Sequence, residues 1–161
     1  MTRPSATACP LNPAAVDLQN FFPYRLAVLA EAVSQAMARV YAQRYGLSRD
    51  EWRLLAALAE LGSARTSTLH EHCTLDKMPA SRALATLEAK GLVARALAEG
   101  DRRAHVVQLE PAGKKLMAEL VPMVLAREEL LLEALSEPER QLLASAVGKV
   151  LAQAERLKGL G

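Results

Sequence analysis

Apolar residues recur every three or four positions along most of the chain, which predicts a mainly helical protein with one short interruption of strand-like alternation. From Phe22 to Tyr45 the spacing of Leu26, Leu29, Val33, Met37, Val40 and Tyr41 predicts a long first helix. Gly46 can stop it in a left-handed conformation, and Ser48 with Glu51 forms a capping box for a second helix from about Arg49 to Leu61. Gly62 ends that helix, and Thr66 or Ser67 is expected to cap a short third helix through His70 to Cys73. A tight connection at Thr74 to Asp76 leads into KMPASRALATLEAKG, residues 77–91, a fourth helix that tolerates Pro79 in its first turn and stops at Gly91. At about 100° per residue, Ala80, Ala83, Leu84 and Leu87 share one face, while Met78, Ser81, Arg82 and Ala85 share the other. The first face is expected to be buried and the second exposed.

After Gly91 the period changes. LVARAL and AHVVQL read as two short strands joined by AEGDRR, which places Asp101, Arg102 and Arg103 at the tip of a hairpin. Pro111 begins a second long helical region to about Leu135, in which Pro122 predicts a bend or a break. Ser136 with Glu139 caps a last amphipathic helix to about Leu157. Residues 1–17 carry three prolines and few large apolar residues and are expected to form a mobile arm.

Composition narrows the partners. With 161 residues, 51% of them hydrophobic, the chain can bury one core, so residues 18–161 are expected to form a single domain. The net charge of +2 identifies no nucleic-acid binder by itself. Residues 77–103, however, hold six basic side chains (Lys77, Arg82, Lys90, Arg95, Arg102 and Arg103) against Glu88, Glu99 and Asp101. That segment has a larger positive excess than the whole chain. No apolar run approaches the roughly 18 residues of a membrane span, and the N-terminus does not read as a signal peptide, so a cytoplasmic location with no membrane partner is expected. Cys9 and Cys73 have no CxxC spacing and fit a reducing compartment.

Two short helices across a tight turn, followed by a β-hairpin, are the parts of a winged helix-turn-helix, whose second helix can enter the DNA major groove. Arginines at the hairpin tip can then reach phosphates or a narrow minor groove. The alternative uses are a solvated turn for Arg102 and Arg103, and a surface salt bridge for Arg82 with Glu88 or a neighbour outside the helix.

GLS at 46–48, SRALATLEAKGLVAR at 81–95 and DRRAHVVQLEPAG at 101–113 resemble the MarR family of bacterial transcription regulators, over about residues 20–157. The resemblance implies a winged helix-turn-helix at about 47–110 and dimerisation helices at about 20–45 and 111–157. It implies a homodimer in which each subunit reads half of a pseudo-palindromic operator in double-stranded DNA. The arginine matching Arg103 enters the minor groove in that family, steadied by the aspartate matching Asp101, which leaves Arg102 for phosphate. Ser81 and Arg82 match the family pattern and join Lys77 as candidates for major-groove and phosphate contacts. Met78 and Pro79 stand where small hydroxyl residues are common, which favours contacts with thymine methyl groups. Glu110 stands where threonine is common, a change at a helix entry.

All six aromatic residues, Phe21, Phe22, Tyr24, Tyr41, Tyr45 and Trp52, lie between positions 21 and 52. Core packing and a dimer interface explain many such clusters. The resemblance adds another use, because many relatives release DNA on binding a phenolic or aromatic carboxylate. An effector of that class, contacted by some of Tyr24, Arg25, Met37, Tyr41 and Trp52, is the expectation, with Arg25 pairing the carboxylate. The leading function is therefore a repressor relieved by an aromatic acid; the alternatives are a cysteine-based redox-responsive regulator and a winged-helix adaptor that binds no DNA. The HEHC run at 70–73 sets His70 and Cys73 three residues apart on a helix, but no second ligand pair accompanies them, so neither a metal nor another cofactor is expected. No nucleophile with a base, and no phosphate-cradling glycine loop, suggests an enzyme.

Overall fold

The computed structural model describes residues 16–98 and 101–160, with the backbone alone described for residues 98 and 101–104. The elements run α1 (Phe22–Tyr45), α2 (Arg49–Leu61), β1 (Ser63–Arg65), α3 (Thr66–His72), α4 (Lys77–Ala89), β2 (Val93–Ala98), β3 (Asp101–Leu109), α5 (Pro111–Leu132) and α6 (Glu137–Lys158). The chain divides into two compact units, residues 1–36 and 37–161.

The described part of the first unit begins at an Asp17 turn. The Asp17 carboxylate accepts the Gln19 N–H at 3.1 Å and the Asn20 side-chain amide at 2.6 Å, which sets the chain for helix entry. The helix that follows exposes Phe22, Leu26 and Leu29. Residues 1–15, most of the arm expected from the sequence, lie outside the described residues.

The second unit holds the core. Leu54, Leu55 and Leu58 from α2, Leu69 from α3, Leu84 and Leu87 from α4, Val107 from β3 and Leu120 from α5 are fully buried. Around them β1, β3 and β2 form an antiparallel sheet in that order, with Ser63 opposite Gln108 and Val93 opposite Leu109. Val107 and Leu109 point inward from β3 and Gln108 outward, the alternation of a sheet with one wet face.

Two expectations need correction, and of the bend or break expected at Pro122 the break does not occur. β1 was unforeseen, and it displaces the expected cap of α3: Arg65 is the N-cap, and the Thr66 hydroxyl donates to the His105 carbonyl at 3.4 Å. Asp101 opens β3 opposite Ala98, so the backbone of residues 101–103 belongs to the strand rather than to the turn; residues 99–100 lie outside the described residues. α5 continues through Pro122 without a break, although the proline removes one helical donor. Met117 and Leu120 before it are buried, and Val121, Met123 and Val124 around it pack on the core, so tertiary packing holds the helix on both sides.

Both capping boxes form. Glu51 accepts the Ser48 N–H at 2.7 Å and its own N–H donates to the Ser48 hydroxyl at 3.2 Å. Glu139 accepts the Ser136 N–H at 2.8 Å and its hydroxyl at 2.6 Å, and these bonds hold the exposed Glu139 carboxyl below its ordinary pKa. α6 buries no residue; Leu142, Leu143, Val147, Val150 and Leu151 are all exposed. No helix among the described residues is long and apolar enough to cross a membrane.

Candidate nucleic-acid interface

The orientation of α4 follows from its apolar spacing. Ala80, Ala83, Leu84 and Leu87 are buried, and this turns Lys77, Met78, Pro79, Ser81 and Arg82 outward together. Pro79 is the third residue of the helix, where its missing N–H has no intrahelical acceptor to lose. Met78 is 62% exposed, a large apolar side chain standing in solvent beside two cations. Glu88 is not the partner of Arg82: it pairs with Arg95 Nε of β2 at 3.1 Å, tying the wing to the C-terminal half of α4. Among the described residues Arg82 makes no salt bridge, so its guanidinium is available to a ligand.

The other end of α4 is anchored by a pair that sequence reasoning missed. Lys90, the C-cap of α4, donates to both carboxylate oxygens of Glu51, at 3.1 and 3.3 Å, and to the Gly46 carbonyl at 3.1 Å. Glu51 is 4% exposed, so one carboxylate caps α2 and neutralises the lysine that fastens α4 to the α1–α2 junction. Lys90→Met would keep the aliphatic stem and leave Glu51 buried without a cation. We expect a loss of about 2–3 kcal/mol, below the usual cost for a fully buried pair because Lys90 is partly solvated. Chemical denaturation of Lys90→Met, Glu51→Gln and the double variant measures it. The double variant should recover part of the loss, and additive losses would show that the two side chains do not couple.

The side chains of Asp101, Arg102 and Arg103 lie outside the described residues. Of the residues expected to contact an effector, Tyr24 and Arg25 are exposed in the first unit. Met37, Tyr41 and Trp52 belong to the second, where Met37 and Trp52 pack against the core. The structure brings Tyr41 and Trp52 together: their rings stack at 5.7 Å between centroids and 11° between planes. Tyr41 is itself a core residue, 2% exposed.

A cleft of about 270 Å³, open to solvent, lies between α2 and the end of α3. Trp52, Arg53, Ala56, Ala57 and Glu60 form its α2 side, and His72 and Cys73 close it. His72 Nε2 is 3.2 Å from Glu60 Oε2, and the Cys73 thiol donates to the Arg53 carbonyl at 3.4 Å. No three His, Cys, Asp or Glu side chains gather into a possible metal site among the described residues.

Burial pushes the Cys73 thiol up in pKa, and the nearby Arg53 charge offsets this only in part. Burial likewise raises the Tyr41 phenol, against smaller opposing effects of Arg49 and Arg53. A protonated thiol is a poor nucleophile, which argues against Cys73 as a redox sensor near neutrality. Both groups hold their protons longer in the folded chain than in the unfolded one. Their contribution to stability is whole below the unfolded values, about 8.5 for the thiol and about 10 for the phenol, and is lost as pH rises through the folded values. The urea midpoint should therefore fall from about pH 9 upward, and less steeply in Cys73→Ala; an identical slope in that variant would remove the thiol from the account.

Comparison with known proteins agrees with this geometry. The MarR family model matches residues 47–105, from the entry of α2 into β3. The transcriptional regulator HosA of Escherichia coli is 27% identical over 123 residues, 76% of this chain and 91% of that protein. YxaD of Bacillus subtilis, an uncharacterized HTH-type transcriptional regulator, is 34% identical over 96 residues, 60% of this chain and 67% of that one. A MarR family regulator from Silicibacter pomeroyi superposes with a TM-score of 0.71 at 28% identity, over 84% of this chain and 91% of that one. Two more distant structures share the fold. NadR in complex with 4-hydroxyphenylacetate has a TM-score of 0.72 at 23% identity, over 85% of this chain and 99% of that one. The repressor CouR bound to a 23-mer DNA duplex has 0.75 at 22%, over 83% and 94%. With the winged helix-turn-helix on the page and these relatives beside it, the chain belongs to the MarR family of transcriptional regulators.

Proposed function

We propose that this regulator is a repressor: a homodimer that holds a pseudo-palindromic operator through α4 and the wing, and releases it when a small aromatic carboxylate or phenol binds. The observation that carries the DNA reading is the outward face of α4, where Lys77, Met78, Pro79, Ser81 and Arg82, the last without a salt bridge among the described residues, stand clear of the core. Lys77 and Arg82 supply charge for phosphate or guanine, Ser81 a hydroxyl, and Met78 and Pro79 apolar contact for thymine methyl groups. From the family resemblance, Arg103 enters the minor groove with Asp101 beside it, and Arg102 takes phosphate. CouR, which shares this fold, is a repressor bound to DNA, and this supports the reading.

Dimerisation is supported by α6, whose Leu142, Leu143, Val147, Val150 and Leu151 are exposed among the described residues. An aromatic-acid effector is supported by NadR, whose complex holds 4-hydroxyphenylacetate. Tyr24, Arg25, Met37, Tyr41 and Trp52 are the candidate contacts. Release would be a shift between two spacings of the recognition helices, only one of which matches half-sites about one DNA turn apart, and the effector must bind the two spacings with different affinity. Such a protein acts by binding rather than turnover, and works where the chromosome is, in the cytoplasm.

Fluorescence anisotropy on the DNA upstream of its own coding region, across salt concentrations and with a panel of aromatic carboxylates, tests this. Sequence-selective, salt-sensitive binding that one compound weakens is the expected result. Absence of selective binding would favour the adaptor. Arg25→Ala should abolish the effector response with DNA affinity intact, and an unchanged response removes Arg25 from the site.

A further inference from the structure

An oxidant reaches a thioether only where the sulfur lone pairs can be approached, and the chain's five methionines differ in this. Met117 is 4% exposed, and Met37 packs against the core. Met123 packs there too, with the Arg44 guanidinium and the Tyr45 hydroxyl each donating to its Sδ at 3.8 Å. Met1 lies outside the described residues. Met78, at 62%, is the one exposed methionine among the described residues. The thiol nearest to it in sequence is shielded. Cys73 is 8% exposed, its S–H donates to the Arg53 carbonyl at 3.4 Å, and burial favours the protonated form.

Met78 is the second residue of α4, on the face turned outward by burial of Ala80, Ala83, Leu84 and Leu87. Ser81 and Arg82, three and four positions on, are exposed on the same side. A sulfur in this place lies in solvent when the protein is free and against base edges when the face is docked. The thioether is apolar and suits a thymine methyl group, whereas a sulfoxide is polar and accepts hydrogen bonds. Beside that methyl stand thymine O4 and purine N7, which are acceptors as well, so the sulfoxide oxygen would be desolvated there without a donor.

From this placement we propose that Met78 is a site of reversible oxidation by hypochlorous acid, and that its sulfoxide releases the operator. The sulfur lone pair attacks the chlorine of HOCl, the S–Cl bond forms and hydroxide leaves. Water then attacks the sulfur and chloride departs. Two protons are lost, one of them to the hydroxide, and the sulfoxide remains: sulfur has given up two electrons and chlorine has taken them. A methionine sulfoxide reductase supplied with a dithiol reverses the change, the oxygen leaving as water and the dithiol becoming a disulfide. Because docking hides the sulfur, oxidation falls on the dissociated protein and draws the bound pool after it by mass action. This inference rests on the DNA-binding reading and needs no small-molecule effector.

The test treats the full-length protein with increasing hypochlorous acid, quenches it, and follows each sample by peptide mass mapping and by anisotropy on operator DNA. Met78 should gain one oxygen atom before any other methionine, and saturating operator DNA should protect it. One unpaired acceptor per subunit should weaken binding about fivefold or more, hence about 25-fold or more in a dimer, and reductase with dithiothreitol should restore it. Met78→Leu is compared with itself before and after oxidant and should show no loss on treatment, while Cys9→Ala/Cys73→Ala should lose affinity as the parent does. Met78→Gln, which carries a permanent polar group, should bind weakly without oxidant. Oxygen arriving first at another methionine, full affinity in the Met78 sulfoxide, or a response that survives Met78→Leu or disappears in the cysteine-free variant would overturn the proposal. Operator binding before oxidant is measured in the same series, so failure of the DNA reading and failure of the Met78 site are separate results.

Discussion

Gly113→Ala is expected to destabilise the winged region by about 3 kcal/mol, a fall of about 6–12 °C in Tm for a chain of this size. Gly113 is the third residue of α5 and is buried. A Cβ at this position would overlap the carbonyl oxygen of Leu92 and stand 3.3 Å from Leu109 Cδ2. A flexible side chain could swing aside, but the Leu92 backbone is fixed from both directions. Its N–H donates to the Leu87 carbonyl at 3.0 Å, and its carbonyl accepts the Glu110 N–H at 3.0 Å. The stop of α4, the start of β2 and the entry of α5 therefore meet at one point, and only a hydrogen fits between them. Relief requires moving α5 away from the sheet, which opens the packing around Leu109 and Met117. Against a total stability of about 5–15 kcal/mol the loss is large enough to read in a single melt. A Tm within about 2 °C of the parent would show that the α5 entry yields easily and that this close approach is not a constraint.

The same region shows where sequence reasoning succeeds and where it stops. The helices were legible because their apolar residues keep a 3.6-residue period and their ends carry capping chemistry; α1 occupies Phe22–Tyr45 as read, and Ser48 with Glu51 starts α2. The outward face of α4 was legible for the same reason, since burial of Ala80, Ala83, Leu84 and Leu87 fixes the azimuth of everything else on the helix. β1 was not legible, because Ser63–Arg65 is too short to show alternation and is a strand only through its pairing with Val106 to Gln108. Asp101 to Arg103 read as a turn because they are polar and follow Gly100, yet pairing of Asp101 with Ala98 extends the ladder to them. The Lys90–Glu51 anchor and the cleft beside Trp52 were hidden for a different reason. Each joins residues about 20–40 positions apart that no local period relates, so both appear only once α2 is packed against α3 and α4.

Arg82→Ala is expected to lower operator affinity by at least about 30-fold. A base or phosphate contact from arginine contributes about 1–3 kcal/mol, and in a symmetric dimer the substitution removes two of them. The fold should not notice, because Arg82 makes no salt bridge among the described residues and its hydrogen bond with the Thr86 hydroxyl, 3.1 Å, uses the backbone carbonyl. An unchanged melt together with weakened binding therefore assigns the loss to the interface. The salt dependence then says what Arg82 touches. A phosphate contact weakens specific and non-specific DNA alike and makes the log–log salt slope shallower by about 1.8 for the dimer. A bidentate guanine contact weakens the operator selectively and relaxes specificity at that base pair, with little change in slope. The matching substitution Arg103→Ala should fall hardest on operators with narrow, A·T-rich minor grooves beside the half-site, since the negative potential that attracts arginine is greatest there. Affinity retained within about threefold in Arg82→Ala would mean that the exposed face of α4 does not enter the groove. The winged fold of this chain would then serve a partner other than DNA.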